Sequence, residues 1–545
     1  VKCARLASAY RGRAAGAIWM LAAAAMLLAV SGCSREGDGL GLPKGSSVLR
    51  LADADDVPTL DPAVGYDTLS WSFEQEIFST LVRYGDADIE LHPDVALSWE
   101  SSPDATVFTF HLRKDVRFSN GRPVTARDFR YEIERVLSPA TRSKGIEYFR
   151  SIAGAGDFIA GRTRHVAGIV IPDPYTIVFH LTAPDPLFAH KLAMPFAAAV
   201  PREVVERWGH DFSRHVVGSG PFMLKQWIGA ERIVLVKNPW YFVKGLPRVD
   251  AIVDQIGVGP ELGWLKFEAG QIDILGGIPP AEFPYVMSTP RLRRLTLSQT
   301  TISTTYLGMN CQMAPFTDVR VRRAFNYAVN KQKLIAVLNG RGVVARGVMP
   351  PNLPGYDPGL RGYAYHPARA RRLLEQAKIG PDFHPTLWLR ADPTTVILAE
   401  SIQQDLELVG VHLDLKPVAW GPLLEAIRQP HNVELFLSGW EADFPDPENF
   451  LGVLLSKQQW GGNNDTFYSN PRVDELLAEA APMTDLKKRY KLYDQAEKIV
   501  VADAPWVFLF HPVSYVIRQP WVHGVVLNPM RPTRFERVWL SPHRE

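Results

Sequence analysis

From Asp318 to Leu437 the chain alternates helix-like and strand-like segments at short intervals, a pattern that few architectures accommodate. Asp318 can cap a helix whose Phe325, Ala328, Val329, Ile335 and Leu338 share one face, ending near Gly340. Pro367 opens a second helix with Leu373, Leu374 and Ala377 on its apolar side, stopped by Gly380. Thr386 to Arg390 reads as a short strand, Thr394 to Val409 as a helix closed by Gly410, and Val411, Leu413 and Leu415 as the next strand. A further helix follows Trp420, and Val433, Leu435 and Leu437 mark one more strand. Strands separated by helices of this length predict a parallel α/β lobe. Ligands gather at the carboxyl ends of the strands in such lobes. That rule selects Arg390, at one strand end, and Trp440-Glu441-Ala442-Asp443 after another, so a cation, an anion and an aromatic plate can share one rim. On spacing alone, a surface salt bridge and a core tryptophan are the simpler account.

Residues 48–300 are written differently, as strand-like runs broken by turns. Thr106 to Arg113 alternates as a strand, with Asn120-Gly121 as a turn beyond it. Gly168 to Ile171 and Tyr175 to Leu181 flank Pro172-Asp173-Pro174 as a hairpin, and Glu231 to Lys237 is another alternating run.

The amino end has the order of an export signal: Lys2, Arg5, Arg11 and Arg13 with no acid among them, then an apolar run from Ala14 to Val30. The run is short for a bilayer span. Val30-Ser31-Gly32-Cys33 resembles the lipobox of bacterial lipoproteins, which implies cleavage before Cys33, a lipid on its thiol, and a protein anchored in the cell envelope facing the periplasm or exterior. Residues 34–47, rich in Gly and Ser, read as a flexible tether. Cleavage removes four cations, so Lys+Arg falls from 60 to 56 against 58 Asp+Glu and the net charge turns from +2 to −2. Bulk attraction to nucleic acid is thereby excluded as a basis for function. Cys3 leaves with the signal and Cys33 carries lipid, so Cys311 has no partner for an intramolecular disulfide. The 513 residues that remain suffice for two or three domains with full cores.

One order of blocks is more specific than any pattern. Ala96-Leu97-Ser98-Trp99-Glu100 is followed by Thr109-Phe110-His111-Leu112-Arg113-Lys114-Asp115-Val116-Arg117-Phe118 and Asn120-Gly121-Arg122-Pro123-Val124-Thr125-Ala126-Arg127-Asp128-Phe129. Leu60-Asp61-Pro62, Gly218-Ser219-Gly220-Pro221-Phe222, Asn238-Pro239 with Tyr241, and Pro315 to Arg322 extend the order, and the Pro505-Trp506 region closes it. This resembles the large periplasmic or lipoprotein solute-binding proteins of ABC importers, family 5, which include the oligopeptide- and dipeptide-binding proteins. The resemblance implies a two-lobed α/β fold of the type II periplasmic-binding class, with a subdomain inserted in lobe I at about 71–195. Lobe I then covers 48–302, lobe II 303–508, and 509–545 return to lobe I. Hinge crossings are expected near residues 300–308 and 507–513.

The resemblance also assigns roles. An aspartate after the Gly-Trp pair holds the ligand's α-ammonium in peptide-binding members, which falls on Asp443, and Trp440 can cover an apolar side chain of the ligand. An arginine ahead of the third lobe II helix takes the carboxylate in dipeptide binders, and Arg390 is the nearest match, across a one-residue gap. The implied partners are a short peptide, the permease and ATPase of an ABC transporter, and the membrane through the anchor, with the protein itself a monomer.

Catalytic signatures are missing. HExxH, CxxC and P-loop motifs do not occur, and Gly218-Ser219-Gly220 lacks the spacing of a nucleophile elbow. His210 and His215 are five apart, off one helical face, which speaks against a metal pair. No cofactor, metal or catalytic residue is therefore expected. Two alternatives stay open: the same fold with haem, a nickel chelate, a glycan or an opine as cargo, and an extracytoplasmic hydrolase.

Overall fold

The computed structural model describes residues 40–380, 382–530 and 533–542. The signal segment 1–32, Cys33 and the tether up to residue 39 lie outside the described residues. Residues 40–46 belong to a small unit of their own, and the body begins at Ser47.

In chain order the body first forms β1 (Val48–Asp53), α1 (Thr68–Ile77), β2 (Ala96–Ser101), β3 (Val107–Leu112), α2 (Ala126–Leu137), β4 (Ile169–Asp173) and β5 (Thr176–His180). Then come β6 (Phe222–Ile228), β7 (Arg232–Lys237), β8 (Ala251–Ile256), β9 (Ile274–Gly276), β10 (Thr296–Thr300) and β11 (Ser303–Met309). The second half adds α3 (Val319–Ala328), α4 (Lys331–Val337), β12 (Gly342–Val344), α5 (Pro367–Gln376), β13 (Thr386–Arg390), α6 (Pro393–Glu407) and β14 (Asp414–Val418). It ends with α7 (Trp420–Ile427), β15 (Leu435–Glu441), α8 (Leu486–Asp503) and β16 (Trp506–Arg518).

The first lobe is built on the sheet β1-β8-β7-β6. Its inner face, with Leu49, Ile252, Leu235 and Phe222, packs against Phe73 and Ile77 of α1. Gly218 and Gly220 run so close under the end of α1 that a Cβ on either would fall inside contact distance of the Ile77 and Glu76 carbonyls. An inserted antiparallel sheet, β2-β3-β5-β4, carries a separate core around Phe110, Phe129, Ile133 and Phe179. The most distinctive sequence block serves this subdomain. Asp128 accepts from the Thr125 N–H at 2.8 Å and from Arg122 Nη2 at 2.6 Å, which closes the first turn of α2.

A further sheet runs in the order β9-β16-β11-β15-β13-β14, with β10 and β12 also on β16, and its β11-β15-β13-β14 part is the base of the second lobe. Alternate residues serve opposite cores. Leu307, Leu435 and Leu437 face Val321, Phe325 and Ile402, while Tyr306, Phe436 and Phe508 face Leu451, Tyr493 and Val500. Helices thus cover both faces, as a sheet with apolar residues on both sides requires. The thirteen-residue β16 pairs with β11 through Trp506–Phe510 and with β10 through Val513–Ile517. Between the two ladders, Thr301 donates its N–H to the Pro512 carbonyl at 3.1 Å, so the segment joining β10 to β11 runs beside the middle of β16.

Several expectations need correction. The sheet is mixed, because β13 pairs in parallel with β14 and β15 while β11 runs antiparallel to β15 and β16. The helix expected from Asp318 to Gly340 is two, α3 and α4. Asp318 does cap the first, accepting from the Arg320 N–H at 2.8 Å, but Asn330 breaks the run by accepting from the Lys333 N–H at 3.1 Å and donating its own N–H to Asp405. The helix from Pro367 stops at Gln376, ahead of Gly380, with Lys378 taking the left-handed conformation. The strand read at Val411–Leu415 begins at Asp414, where it meets Thr386 in register, and Val411 and Leu413 are buried ahead of it. The strand read at Val433–Leu437 starts at Leu435 and runs on to Glu441, because β11 pairs along its whole length. Trp440 and Glu441 therefore belong to the strand, and only Ala442 and Asp443 follow its carboxyl end.

Candidate functional site

A cavity of about 310 Å³ lies between the start of α1 and the exposed end of β15. Tyr66, Asp67, Thr68 and Trp71 form one wall, and Ser438 to Asp443 form another. The α1 wall is set by local chemistry. Asp67 accepts from the Ser70 N–H at 2.8 Å and fixes the first turn, and Trp71 Nε1 donates to the Gly65 carbonyl at 2.9 Å. The β15 wall is an open strand edge. β13 pairs with β15 only at Leu435 and Phe436, so from Leu437 to Glu441 that edge has no β13 partner, while the opposite edge is held by β11.

Asp443 sits at the meeting point, buried, with three donors converging on Oδ2: Tyr148 Oη at 2.7 Å, Tyr66 Oη at 3.0 Å and Asn449 Nδ2 at 3.4 Å. Burial pushes both phenols well above their usual acidity range, and the adjacent carboxylate adds to it, so both hydroxyls keep their protons and donate. Asn449, fully buried, uses its Oδ1 to accept from the Asp443 N–H at 3.0 Å and from Trp440 Nε1 at 2.9 Å. One amide thus orients both the acid and the indole.

The loop that carries Asp443 is pinned from below. Arg489 of α8, fully buried, donates Nη2 to Asp446 Oδ1 at 2.9 Å and Nη1 to the carbonyls of Ala480 and Ala481 at 2.6 Å each. Tyr493 completes the brace, donating to Glu448 at 2.6 Å.

Of the residues predicted for the site, Asp443 and Trp440 share the cavity and Arg390 does not line it. Arg390 does end β13 as expected, but its half-exposed side chain reaches across to Asp55, which follows β1, at 3.9 Å. A different arginine lines the cavity: Arg428, at the end of α7, with a buried Nε that has no hydrogen-bond partner among the described residues. Asp465 stands near it with an unpartnered buried Oδ1, and burial pushes its carboxyl up to about 7, partly offset by Arg428. Neither residue carries a local pattern that distinguishes it from surface charge. Cys311 packs against the second-lobe core, and burial pushes its thiol up to about 11. His215 stacks on Trp208, and among the described residues no three metal-binding side chains cluster.

The sequence pattern of the bacterial extracellular solute-binding proteins, family 5 (middle region), matches residues 90–462. The chain belongs to that family. Among curated relatives, the family 5 chain is 29% identical over 477 residues to haem-binding protein A of Haemophilus influenzae, covering 84% of this chain and 85% of the relative. It is 28% identical over 496 residues to the probable D,D-dipeptide-binding periplasmic protein of Escherichia coli, covering 89% and 92%. The periplasmic binding protein DppA of Helicobacter pylori, solved in complex with the peptide STSA, superposes with a TM-score of 0.79 at 28% identity, covering 90% of this chain and 98% of that one. The family 5 fold, two lobes with a subdomain inserted in the first, is thus shared along nearly the whole body.

Proposed function

We propose that this family 5 protein captures short peptides between its lobes and hands them to the permease of an ABC importer, held in the envelope by a lipid on Cys33. The observation that carries the reading is Asp443. A buried carboxylate, oriented by phenols from the opposite wall, stands beside an open strand edge, and the two features suit the two invariant parts of a peptide. The α-ammonium meets Asp443, since a charge taken from water into a closing cleft needs an opposite, hydrogen-bonded partner. The peptide backbone adds to the edge of Leu437–Glu441, where main-chain hydrogen bonds give affinity without regard to side chain. Trp440 flanks the first side chain. The carboxylate of the shortest ligands turns to Arg428, and Arg390, placed against Asp55, draws the lobes together over the occupied cavity.

In this reading lobe I comprises 48–302, with the subdomain at about 71–195, and takes back 509–545, while lobe II comprises 303–508. The lobes close about the paired crossings, residues 300–308 and 507–513. The peptide-bound Helicobacter relative and the dipeptide-binding name of the Escherichia relative support a peptide cargo. Native mass spectrometry of the purified mature protein tests it, followed by calorimetry with the cargo identified. Retained di- to pentapeptides released intact are the expected result. A retained tetrapyrrole, metal chelate or sugar removes the peptide reading, and cleaved peptide turns it into a hydrolase. Cys33→Ser is expected to leave the membrane fraction, and its retention there removes the anchor.

A further inference from the structure

A second cavity, of about 460 Å³, opens in the first lobe and shares Thr68 with the first. Asp55 stands in its lining and faces Arg390 across the cleft at 3.9 Å, so the mouth gives onto the space between the lobes. Its walls are apolar: Leu51, Phe73, Leu235, Ile252, Ile274 and Phe535. Its polar floor is acidic. Asp254 on β8 stands opposite Leu51 of β1, and Asp53, two residues further along β1, points to the same face. Glu76 of α1 completes the floor. Asp254 is 2% exposed and Glu76 1% exposed. Asp254 Oδ1 and Glu76 Oε2 are buried without a hydrogen-bond partner, and among the described residues neither Asp53 nor Asp254 forms an ion pair.

Carboxyls of this kind are expensive in an apolar pocket unless they meet a counter-charge or keep their protons. Structural carboxyls in this chain follow that rule, as Asp446 does with Arg489. Among the described residues, the Asp53 and Asp254 side chains hydrogen-bond to each other in place of a counter-charge, beside a cavity large enough for a long side chain. We propose that this cavity is a second subsite, which takes the cationic side chain of the ligand, an alkylammonium or guanidinium, with the stem along the apolar wall and the charge at Asp53 and Asp254. The inference rests on the peptide reading for the position of the ligand backbone. It also narrows that reading to basic peptides.

Burial opposes ionisation of these carboxyls. Burial, with Asp53 adding repulsion, raises Asp254 well above the carboxylate range, and burial pushes Glu76 up to about 8 despite Arg534 beyond it. Burial raises Asp53 as well, with Asp55 adding to it. An entering cation favours the ionised forms and displaces a proton, so proton release is a signature that simple packing would not give.

Trialanine carrying one lysine at the first, second or third position is compared by calorimetry with the norleucine counterparts, which keep the stem and lose the charge. At one position lysine is expected to bind roughly 30-fold tighter or more, the scale of a desolvated charge pair. In Asp254→Asn, and separately in Asp53→Asn, that ratio is expected to fall to near one. Buffers of different ionisation enthalpy are expected to report proton release for the lysine peptide alone. Tripeptides that bind with no lysine preference at any position overturn the subsite while leaving the peptide reading intact. Should no tripeptide bind, the peptide reading fails, and 1,5-diaminopentane then decides: binding lost in Asp254→Asn supports the subsite, and no binding overturns it too.

Discussion

The Tyr148 hydroxyl lies 2.7 Å from Asp443 Oδ2, although 295 residues separate the two in the chain. Tyr148 comes from the subdomain inserted in the first lobe, and Asp443 from the loop after β15 in the second. With Tyr66, whose hydroxyl donates to the same oxygen at 3.0 Å, Tyr148 ties the first lobe to the acid that the proposed reading assigns to the ligand's ammonium. In that reading, the acid assigned to the cargo is also the acid that the opposite lobe grips.

Asp443→Asn keeps the shape and removes the charge. It is expected to cost about 2–5 kcal/mol of binding, much of it the penalty of an ammonium left unpaired. N-acetylation of the peptide deletes the same charge from the other side. A cycle of both changes, followed by calorimetry, is expected to show that the double change costs little more than either single one. Additive losses would mean that Asp443 holds the lobe and not the ligand.

Tyr148→Phe removes only the hydroxyl. A hydrogen bond to a charged group contributes about 1.5–3 kcal/mol, so the closed state is expected to lose most of that relative to the open one. Solution scattering is the direct measurement, with the variant's unliganded radius of gyration larger than the wild type's and saturating peptide restoring compaction. An unchanged radius in both conditions would remove Tyr148 from the closing mechanism.

Local patterns placed the strands but not the side chains that meet at their ends. Thr386–Arg390 was readable because a short alternating run between a turn and a helix cap has one consistent assignment. Asp443 was singled out for its role by the family resemblance across Gly439 to Asp443 and not by spacing, and the structure places it in the cavity wall. Ser438 and Gly439 have poor strand propensity, so the extension of β15 to Glu441 was hidden; it exists because β11 supplies a continuous ladder. Tyr66, Tyr148 and Asn449 were hidden for a related reason. Their value arises from which carboxylate they meet, and only the tertiary fold decides that.

Arg489 of α8, fully buried, donates five hydrogen bonds: two to Asp446 in the loop after β15, one each to the Ala480 and Ala481 carbonyls, and one to Tyr493 of α8 itself. Arg489→Ala strands the Asp446 carboxylate and the Ala480 and Ala481 carbonyls, and is expected to cost about 3–5 kcal/mol of stability. Because the same loop carries Asp443, peptide affinity should fall with it. The paired change Asp446→Asn with Arg489→Met is expected to cost less than Arg489→Ala alone, measured by denaturant midpoint. Equal losses would mean that packing volume, not the unpaired charge, dominates at this position.

Glu497 offers a pH test independent of ligand. Its Oε1 accepts the Val348 and Met349 N–H groups at 2.8 Å each, while Oε2 is buried without a partner. Burial outweighs the two amide bonds and pushes the carboxyl up to about 7 from 4.5. The folded state thus holds a proton that the unfolded chain releases between those values. The resulting stabilisation is complete below the unfolded value and is lost as pH rises through 7. Glu497→Gln keeps an oxygen for both amides and carries no charge at any pH. Relative to wild type it should be nearly neutral at pH 5 and gain about 1–3 kcal/mol by pH 8, where the wild type must bury an ionised carboxylate. Urea midpoints across that range decide it. A constant difference between the two proteins from pH 5 to 8 would show that Glu497 does not titrate within it, and a variant that loses ground as pH rises would reverse the sign assigned to its burial.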